Sequence, residues 1–232
     1  AQAIQSTTYA YDINALFGAN TFYDAGYTGT RAVVANIEAG LAWNQHETLT
    51  HVSTLLYDPT HSGPHVGEFD YHATEVAQAA AGRGDTAKQR GFAYGATLWS
   101  GAIASDWPSA PTGTSFSFTR QSFLYPYFTS LRTAVSGRKA DVVNSSWGYS
   151  ETSTTGFNWV TCVIDTLAWE SGKTVVLAAG NGGPTTNSVL APGTGYNGIT
   201  VGAVGNESTT PPYVQYASFS SRGPGDYLDP TS

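Results

Sequence analysis

Short apolar runs bounded by turns alternate along this chain with stretches of helical period. Ala32-Val33-Val34-Ala35-Asn36-Ile37 is the first such run. Near-continuous hydrophobicity is the pattern of a strand covered on both faces in a parallel sheet, and this one delivers Glu38, then Ala39-Gly40, at its C-terminal end. Ala73, Val76, Ala77, Ala80 and Ala81 recur at i, i+3, i+4, i+7 and i+8, one face of an internal helix whose short side chains allow close contact with a sheet. His72 stands at its head, and Asp70 lies where a carboxylate suits the free amides and positive dipole end of a first turn. Thr97 to Ile103 predicts a second buried strand. A long loop from Ala104 to Ser122 carries Pro108, Pro111 and Gly113. Tyr127, Phe128, Leu131, Ala134 and Val135 then predict a helix with Pro126 in its first turn. Asp141 to Ser146 reads as a strand ended by Trp147-Gly148. Val160, Val163, Ile164, Leu167 and Ala168 form a helix face stopped by Ser171-Gly172, and Thr174 to Ala179 is a buried strand ending in Gly180-Asn181-Gly182-Gly183-Pro184. Gly198 to Val204 supplies one more strand. Residues 1–30 read as a surface-wrapping lead, and residues 31–232 as one domain without internal repeat or linker.

A chain of 232 residues, 41% hydrophobic and 12% charged, can bury a core without disulfide, metal or oligomer. Acidic residues outnumber basic ones 17 to 10 and no Lys/Arg-rich run exists, which argues against nucleic acid as a partner. The single cysteine, Cys162, permits no internal disulfide and sits among apolar neighbours in a helical pattern, so a buried packing role is expected. No apolar run approaches the roughly 18 residues of a membrane span. The start, Ala1-Gln2-Ala3-Ile4, has neither an initiator methionine nor signal-peptide regions, so a processed mature chain is expected. Abundant glycine, tyrosine and tryptophan with three lysines fits a secreted protein, extracellular or periplasmic.

Polar residues with chemical potential stand at the ends of these elements. Alone, His72 reads as a structural histidine, Glu38 equally as a solvated loop charge, and Asn181 as an ordinary Asn-Gly turn. His46, His51, His61 and His65 share residues 41–70, yet their spacing forms no HExxH or paired ligand set and cysteine ligands are absent; they read as loop histidines. Together, Glu38, His72 and Asn181 form a set suited to acyl transfer: a carboxylate that orients and charges an imidazole, an imidazole that takes a nucleophile's proton, and an amide that stabilises the oxyanion. Ser146-Trp147-Gly148 offers small residues and backbone with which an extended ligand could pair.

At these residues the chain resembles the subtilisin-like serine proteases, the subtilases. Ala32 to Gly40 (AVVANIEAG) is similar to the family's strand ending in Asp-x-Gly, and His72 to Ala77 (HATEVA) to its His-Gly-Thr-His-Val-Ala segment. Gly91 to Ala96 (GFAYGA) resembles its Gly-Val-Ala-Pro-x-Ala turn, Val143 to Gly148 (VNSSWG) its substrate-binding strand, Val175 to Gly183 (VVLAAGNGG) its oxyanion-asparagine segment, and Phe219 to Pro224 (FSSRGP) another frequent string. Six matches in family order make the resemblance specific. It implies a three-layer α/β fold with a mostly parallel sheet flanked by helices, here incomplete on the C-terminal side, and endopeptidase cleavage of extended polypeptides.

Three departures shape the expectation. Glu38 replaces the family's aspartate, and its extra methylene moves the carboxylate by about 1.5 Å at full extension, in a site whose geometry must hold within ~0.5 Å. Ala73 and Glu75 replace the glycine and second histidine; Glu75, one turn along the helix, is expected to be structural. The family's nucleophile motif, Gly-Thr-Ser-x-Ala-x-Pro, is absent. Gly113-Thr114-Ser115 imitates its start but sits in a Pro/Gly loop before the Asn181 strand, and neither Ser221 nor Ser232 lies in such a motif. A complementary C-terminal chain of the same precursor, carrying the serine, is therefore the expected partner beside the polypeptide substrate; a non-catalytic subtilase-like module that binds peptide or protein is the alternative. No cofactor is required for this chemistry. Family calcium cannot be assigned, because Glu47-Thr48-Leu49 stands where an aspartate ligand often follows. Asn206-Glu207-Ser208 is a formal glycosylation sequon.

Overall fold

The computed structural model describes residues 12–61, 63, 67–107, 115–150, 156–205 and 213–223, grouped into two compact units, residues 1–143 and 144–232. His65, Gly113, Thr114, the Asn206 sequon, Pro108, Pro111, Pro224 and Ser232 lie outside the described residues.

In the first unit, α1 (Ile13–Leu16) and α2 (Asn20–Asp24) form the described part of the lead. Asn14 donates from Nδ2 to Arg90 O at 3.0 Å and Tyr23 Oη to Phe92 O at 2.8 Å, which ties the lead to the 90–92 turn. β1 (Val33–Glu38) is buried at every position, as its unbroken apolar run demands. β2 (Val52–Leu56) follows, then α3 (Tyr71–Ala81), β3 (Thr97–Ala102) and α4 (Arg120–Phe128). β2, β3 and β1 are neighbours in that order and run parallel, with Glu38 opposite Ala102 in register. β4 (Val142–Ser145) starts beside β1, where Val33 N donates to Asp141 Oδ2 and Asp141 N to Val33 O, both at 2.9 Å.

One core cluster of this unit is a small-residue interface. Ala77 and Ala81 of α3 pack with Val34, Ala42, Leu49, Ala96 and Leu98. Short side chains let the helix axis approach the sheet, so backbone and side-chain polar groups can reach across. Asn36, fully buried in β1, donates from Nδ2 to Ala73 O at 3.1 Å, and Trp43 N donates to Thr74 Oγ1 at 2.9 Å. The buried stripe of α3 is Ala73, Thr74, Ala77, Gln78 and Ala81, turned toward Thr74 and Gln78 from the all-apolar stripe expected. Both polar residues are satisfied there: Thr74 Oγ1 donates to Asp70 O and Gln78 Nε2 to Gln89 O.

Two expectations in this unit are corrected. β2 falls within residues 41–70, read from sequence as polar loop. α4 begins at Arg120, not near Pro126, because Thr119 and Ser122 close a reciprocal capping box. Pro126 therefore sits inside the helix, buried, and Gly101 of β3 leaves it space: a Cβ on Gly101 would lie 3.0 Å from Pro126 Cβ. A π turn, Thr129–Thr133, follows directly. Proline withdraws one amide from the helical ladder, which accords with the widened turn next to it.

In the second unit, α5 (Trp159–Ser171) is capped by Asn158 and ended by Gly172 in the left-handed conformation at φ +64°. β5 (Thr174–Ala178) pairs in parallel with β6 (Ile199–Val201), while β7 (Val204–Gly205) pairs antiparallel with β8 (Gln215–Tyr216). The buried stripe of α5 is Val160, Thr161, Ile164, Leu167 and Ala168. Cys162 is exposed, against the expectation of burial. At 100° per residue it lies roughly 160° from the centre of that stripe, so its apolar sequence neighbours do not share its face.

Two of the described histidines of residues 41–70 make side-chain hydrogen bonds. His46 is buried, with Nδ1 3.0 Å from Thr48 Oγ1, and His61 Nε2 is 2.8 Å from Ser105 O. His51 is half-buried, and burial followed by the nearby Arg83 guanidinium lowers its pKa from 6.5 to about 4, against a smaller opposing contact from the Ala81 backbone. A depressed histidine is stabilising when neutral, so its contribution is complete above about pH 6.5 and is lost as pH falls toward 4. After discounting for solvent screening of a half-buried ring, about 1–2 kcal/mol should disappear across that window. Melting temperature followed from pH 7 to 4.5 is expected to fall less steeply in His51→Leu than in the parent; equal slopes would rule out His51 as the source.

Candidate active site

β1 and α3 converge where Glu38 leaves the sheet and His72 starts the helix. Glu38 Oε2 lies 3.3 Å from His72 Nδ1; the carboxylate is fully buried, whereas the His72 side chain is 54% exposed. One end of the imidazole thus meets a buried acid while the ring as a whole remains accessible. Glutamate's extra length does not prevent the contact, because Glu38 is itself the last residue of β1 and its backbone is fixed in register opposite Ala102.

Several contacts hold this pair. Asp70 caps α3, its Oδ1 accepting from His72 N at 3.0 Å. Leu41 N donates to Glu68 O and Asp70 N to Leu41 O, both at 2.8 Å, so the segment leaving β1 is bridged to the segment entering α3. Gly40 lies at this crossing. A Cβ there would stand 2.7 Å from the Trp107 ring, 2.8 Å from Asp70 Cβ and 2.9 Å from Glu68 O, so only glycine fits without displacement.

The hydrogen bond to Glu38 raises the His72 pKa above 6.5; burial opposes it, and the charges of Glu38, Asp70 and Glu75 add to it in that order. Glu75 makes the smallest of these contributions, and its carboxylate, through hydrogen bonding and charge, raises the Tyr71 pKa. Chemically, a carboxylate on Nδ1 fixes the imidazole tautomer and stabilises its protonated form, leaving Nε2 to exchange a proton with a nucleophile.

The remaining candidates belong to the second unit. Asn181 follows β5 and is exposed between Gly180, at φ +103°, and Gly182. Sequence reasoning missed what braces this loop. Gly182 N donates to Ser221 Oγ at 2.9 Å, Ser221 N to Gly180 O at 3.0 Å and Gly183 N to Phe219 O at 2.8 Å. Ser221 is 7% exposed and serves as a support for the Asn181 loop. The FSSRGP string was the available signal, though a string alone does not reveal its contacts. Ser146 is half-buried, Gly148 is exposed and Trp147 is buried, its indole stacked at 6.4 Å and 13° on Tyr149. Tyr149 N donates to Ala191 O at 2.9 Å, so pairing beyond Gly148 is taken within the chain. In the first unit, Ser115 is exposed in the loop that precedes the Asp106–Ser117 bridge.

A carboxylate-histidine pair thus stands at the ends of a parallel strand and a helix on an α/β scaffold. The sequence model of the Subtilase family matches residues 33–230, and the chain belongs to that family. It is 31% identical over 196 residues to "Minor extracellular protease Vpr" of Bacillus subtilis (strain 168), a match that covers 80% of this chain and 22% of the relative. It is 44% identical over 61 residues to "Serine protease AprX" of the same organism, covering 26% of this chain and 14% of the relative. Among solved structures, the "S41 Psychrophilic Protease" superposes with a TM-score of 0.64 at 23% identity, covering 89% of this chain and 65% of that one. The chain therefore spans about a fifth of the first relative and about two thirds of the matched structure. The three-layer, mostly parallel α/β fold expected from sequence agrees with this likeness.

Two outcomes follow for the pair. Glu38→Gln should lower the His72 pKa, as read by titration of the imidazole ring carbons in NMR. The raised value also supplies stability that is complete below pH 6.5 and is lost as pH rises through the folded pKa, so the variant should lose melting temperature mainly on the acid side. Gly40→Ala should cost about 1–3 kcal/mol in denaturant unfolding, the usual range for forcing a methyl into packed surroundings. A cost near zero would mean that the crossing has room to spare.

Proposed function

We propose that this chain is the N-terminal portion of a secreted serine endopeptidase that cleaves extended polypeptides by acyl transfer. What carries the reading is the Glu38–His72 contact: a fully buried carboxylate on one nitrogen of a half-exposed imidazole. Membership of the subtilase family supports hydrolysis by a serine, and the name of the first relative supports an extracellular setting. No described helix is long and apolar enough to cross a membrane.

In the proposed reaction, His72 takes the proton of a serine hydroxyl as its oxygen attacks the scissile carbonyl. Asn181 donates to the developing oxyanion, and Glu38 holds the imidazolium. His72 returns the proton to the leaving amine as the acyl-enzyme forms, and the same groups then direct water against the ester. Ser146-Trp147-Gly148 pairs with the substrate backbone.

The serine is supplied by a C-terminal portion of the same precursor, outside this chain. Support comes from the absence of its motif from this sequence and from an apolar surface on the second unit. Ile199 and Val201 on β6 are 56% and 51% exposed, and Val204, Val214, Tyr216 and Phe219 are exposed as well. Large apolar surface of this kind marks a place for further protein to pack.

A fluorophosphonate probe applied to the intact assembly should label a serine in a polypeptide containing Gly-Thr-Ser-x-Ala that copurifies with this chain. In that assembly Glu38→Gln should lower kcat on the order of 10⁴-fold, the loss seen when the orienting carboxylate of a serine-protease triad becomes an amide. Failure of an active preparation to label would reject serine catalysis, and absence of peptidase activity from a verified assembly would favour the peptide-binding alternative.

A further inference from the structure

We propose that Asp70 is a second carboxylate serving His72: it clasps the strand end carrying Glu38 to the helix start carrying His72, and its charge acts with that of Glu38 on the protonated ring. The inference rests on the acid–base reading above and assigns a positioning residue to it.

The geometry starts at the carboxylate of Asp70, which is 4% exposed. It accepts a hydrogen bond from the backbone amide of His72 at 3.0 Å, and the amides of Ala73 and Gly40 also favour its charged form. Two of those amides open α3; the third lies two residues beyond Glu38. The backbone repeats the link, Asp70 N donating to Leu41 O at 2.8 Å. Gly40 completes the crossing, since a Cβ there would stand 2.8 Å from Asp70 Cβ. Any movement of Asp70 is therefore felt both by the strand end behind Glu38 and by the first turn that aims His72.

A cap alone does not require this residue. Serine, threonine or asparagine satisfies the first amides of a helix without the cost of burying a charge. A buried carboxylate is favoured when positive charge faces it. Burial raises the Asp70 pKa; the backbone amides and, as the one charged group acting on it, His72 lower it, and the positive end of the α3 dipole adds to them. Conversely, the acidic groups facing His72 are Glu38 from β1, Asp70 from the segment before α3 and Glu75 from α3 itself, with Glu75 the weakest. When His72 accepts the serine proton, two buried carboxylates stand ready to stabilise the imidazolium. The clasp also accounts for glutamate at position 38: a longer acid can meet Nδ1 because strand end and helix start are tied at a fixed separation.

The test uses the full chain for NMR titration of His72 and the assembled peptidase for kinetics, with Asp70→Asn, Asp70→Ser and Glu38→Gln. Both Asp70 variants keep an oxygen that can cap α3 and lose the charge. Each is expected to lower the His72 pKa by about half a unit or more and to move the acid limb of kcat/KM down with it. Each should also lower kcat about tenfold at unchanged KM, the pattern of an interaction made in the transition state. Loss of melting temperature with an unmoved His72 pKa would make Asp70 a helix cap only and overturn the proposal. Should Asp70→Asn not fold, Asp70→Ser carries the same comparison. Glu38→Gln separates the two readings: if it leaves the His72 pKa unchanged, the acid–base pair itself fails, whatever Asp70 does.

Discussion

Burial of the Glu38 carboxylate is the constraint around which the first unit is arranged. A charge removed from water costs several kcal/mol unless opposite charge and hydrogen bonds meet it. His72 is the group provided, and the imidazole can reach because α3 lies close to the sheet. That closeness is a consequence of alanine: Ala73, Ala77 and Ala81 face the sheet where larger side chains would hold the helix away. With the gap so small, a short side chain such as Asn36 can span it and donate to Ala73 O. Composition of one helix face thus sets a distance, and the distance permits an ion pair.

The second unit solves a different problem. Asn181 is exposed, and its loop must turn while leaving the side chain open. Glycines on both sides give that freedom, and Gly180 at φ +103° uses a conformation that L side chains rarely adopt. Freedom alone would leave the loop poorly fixed. Ser221 and Phe219 supply the restraint through three hydrogen bonds to Gly180, Gly182 and Gly183. A serine that carries no nucleophile motif therefore has a clear occupation.

Elements with one strong period were legible. β1, β3 and β5 read as unbroken apolar runs, and α3 and α5 as 3.6-residue faces closed by Asp70 at one start and Gly172 at one end. β2 is hidden in the sequence because it alternates between half-buried and exposed positions until Leu56 and lies within the polar, histidine-rich stretch. α4 starts earlier than Pro126 suggests because the Thr119–Ser122 box has already opened the helix. Cys162 is exposed because its angle around α5, not its sequence neighbours, sets its surroundings. Of the site, the residue types and chain order could be read. That Glu38 reaches the imidazole depends on backbone register, and that Ser221 braces the Asn181 loop depends on contact across 39 residues, and neither is visible in a local pattern.

The exchange of aspartate for glutamate shows how such a site tolerates change. A longer acid on an unaltered frame would overshoot by about a methylene, and a triad does not tolerate that displacement. Here the strand end is held by register to β3, the helix start by its cap, and the two by the Leu41–Asp70 and Leu41–Glu68 hydrogen bonds around Gly40. With both ends fixed by backbone, the side chain adapts between them through its own torsions. The sequence can then vary the length of the acid as long as it conserves the charge, the glycine at the crossing and the clasp beneath it. Positional precision in this site resides in the backbone, and the carboxylate inherits it.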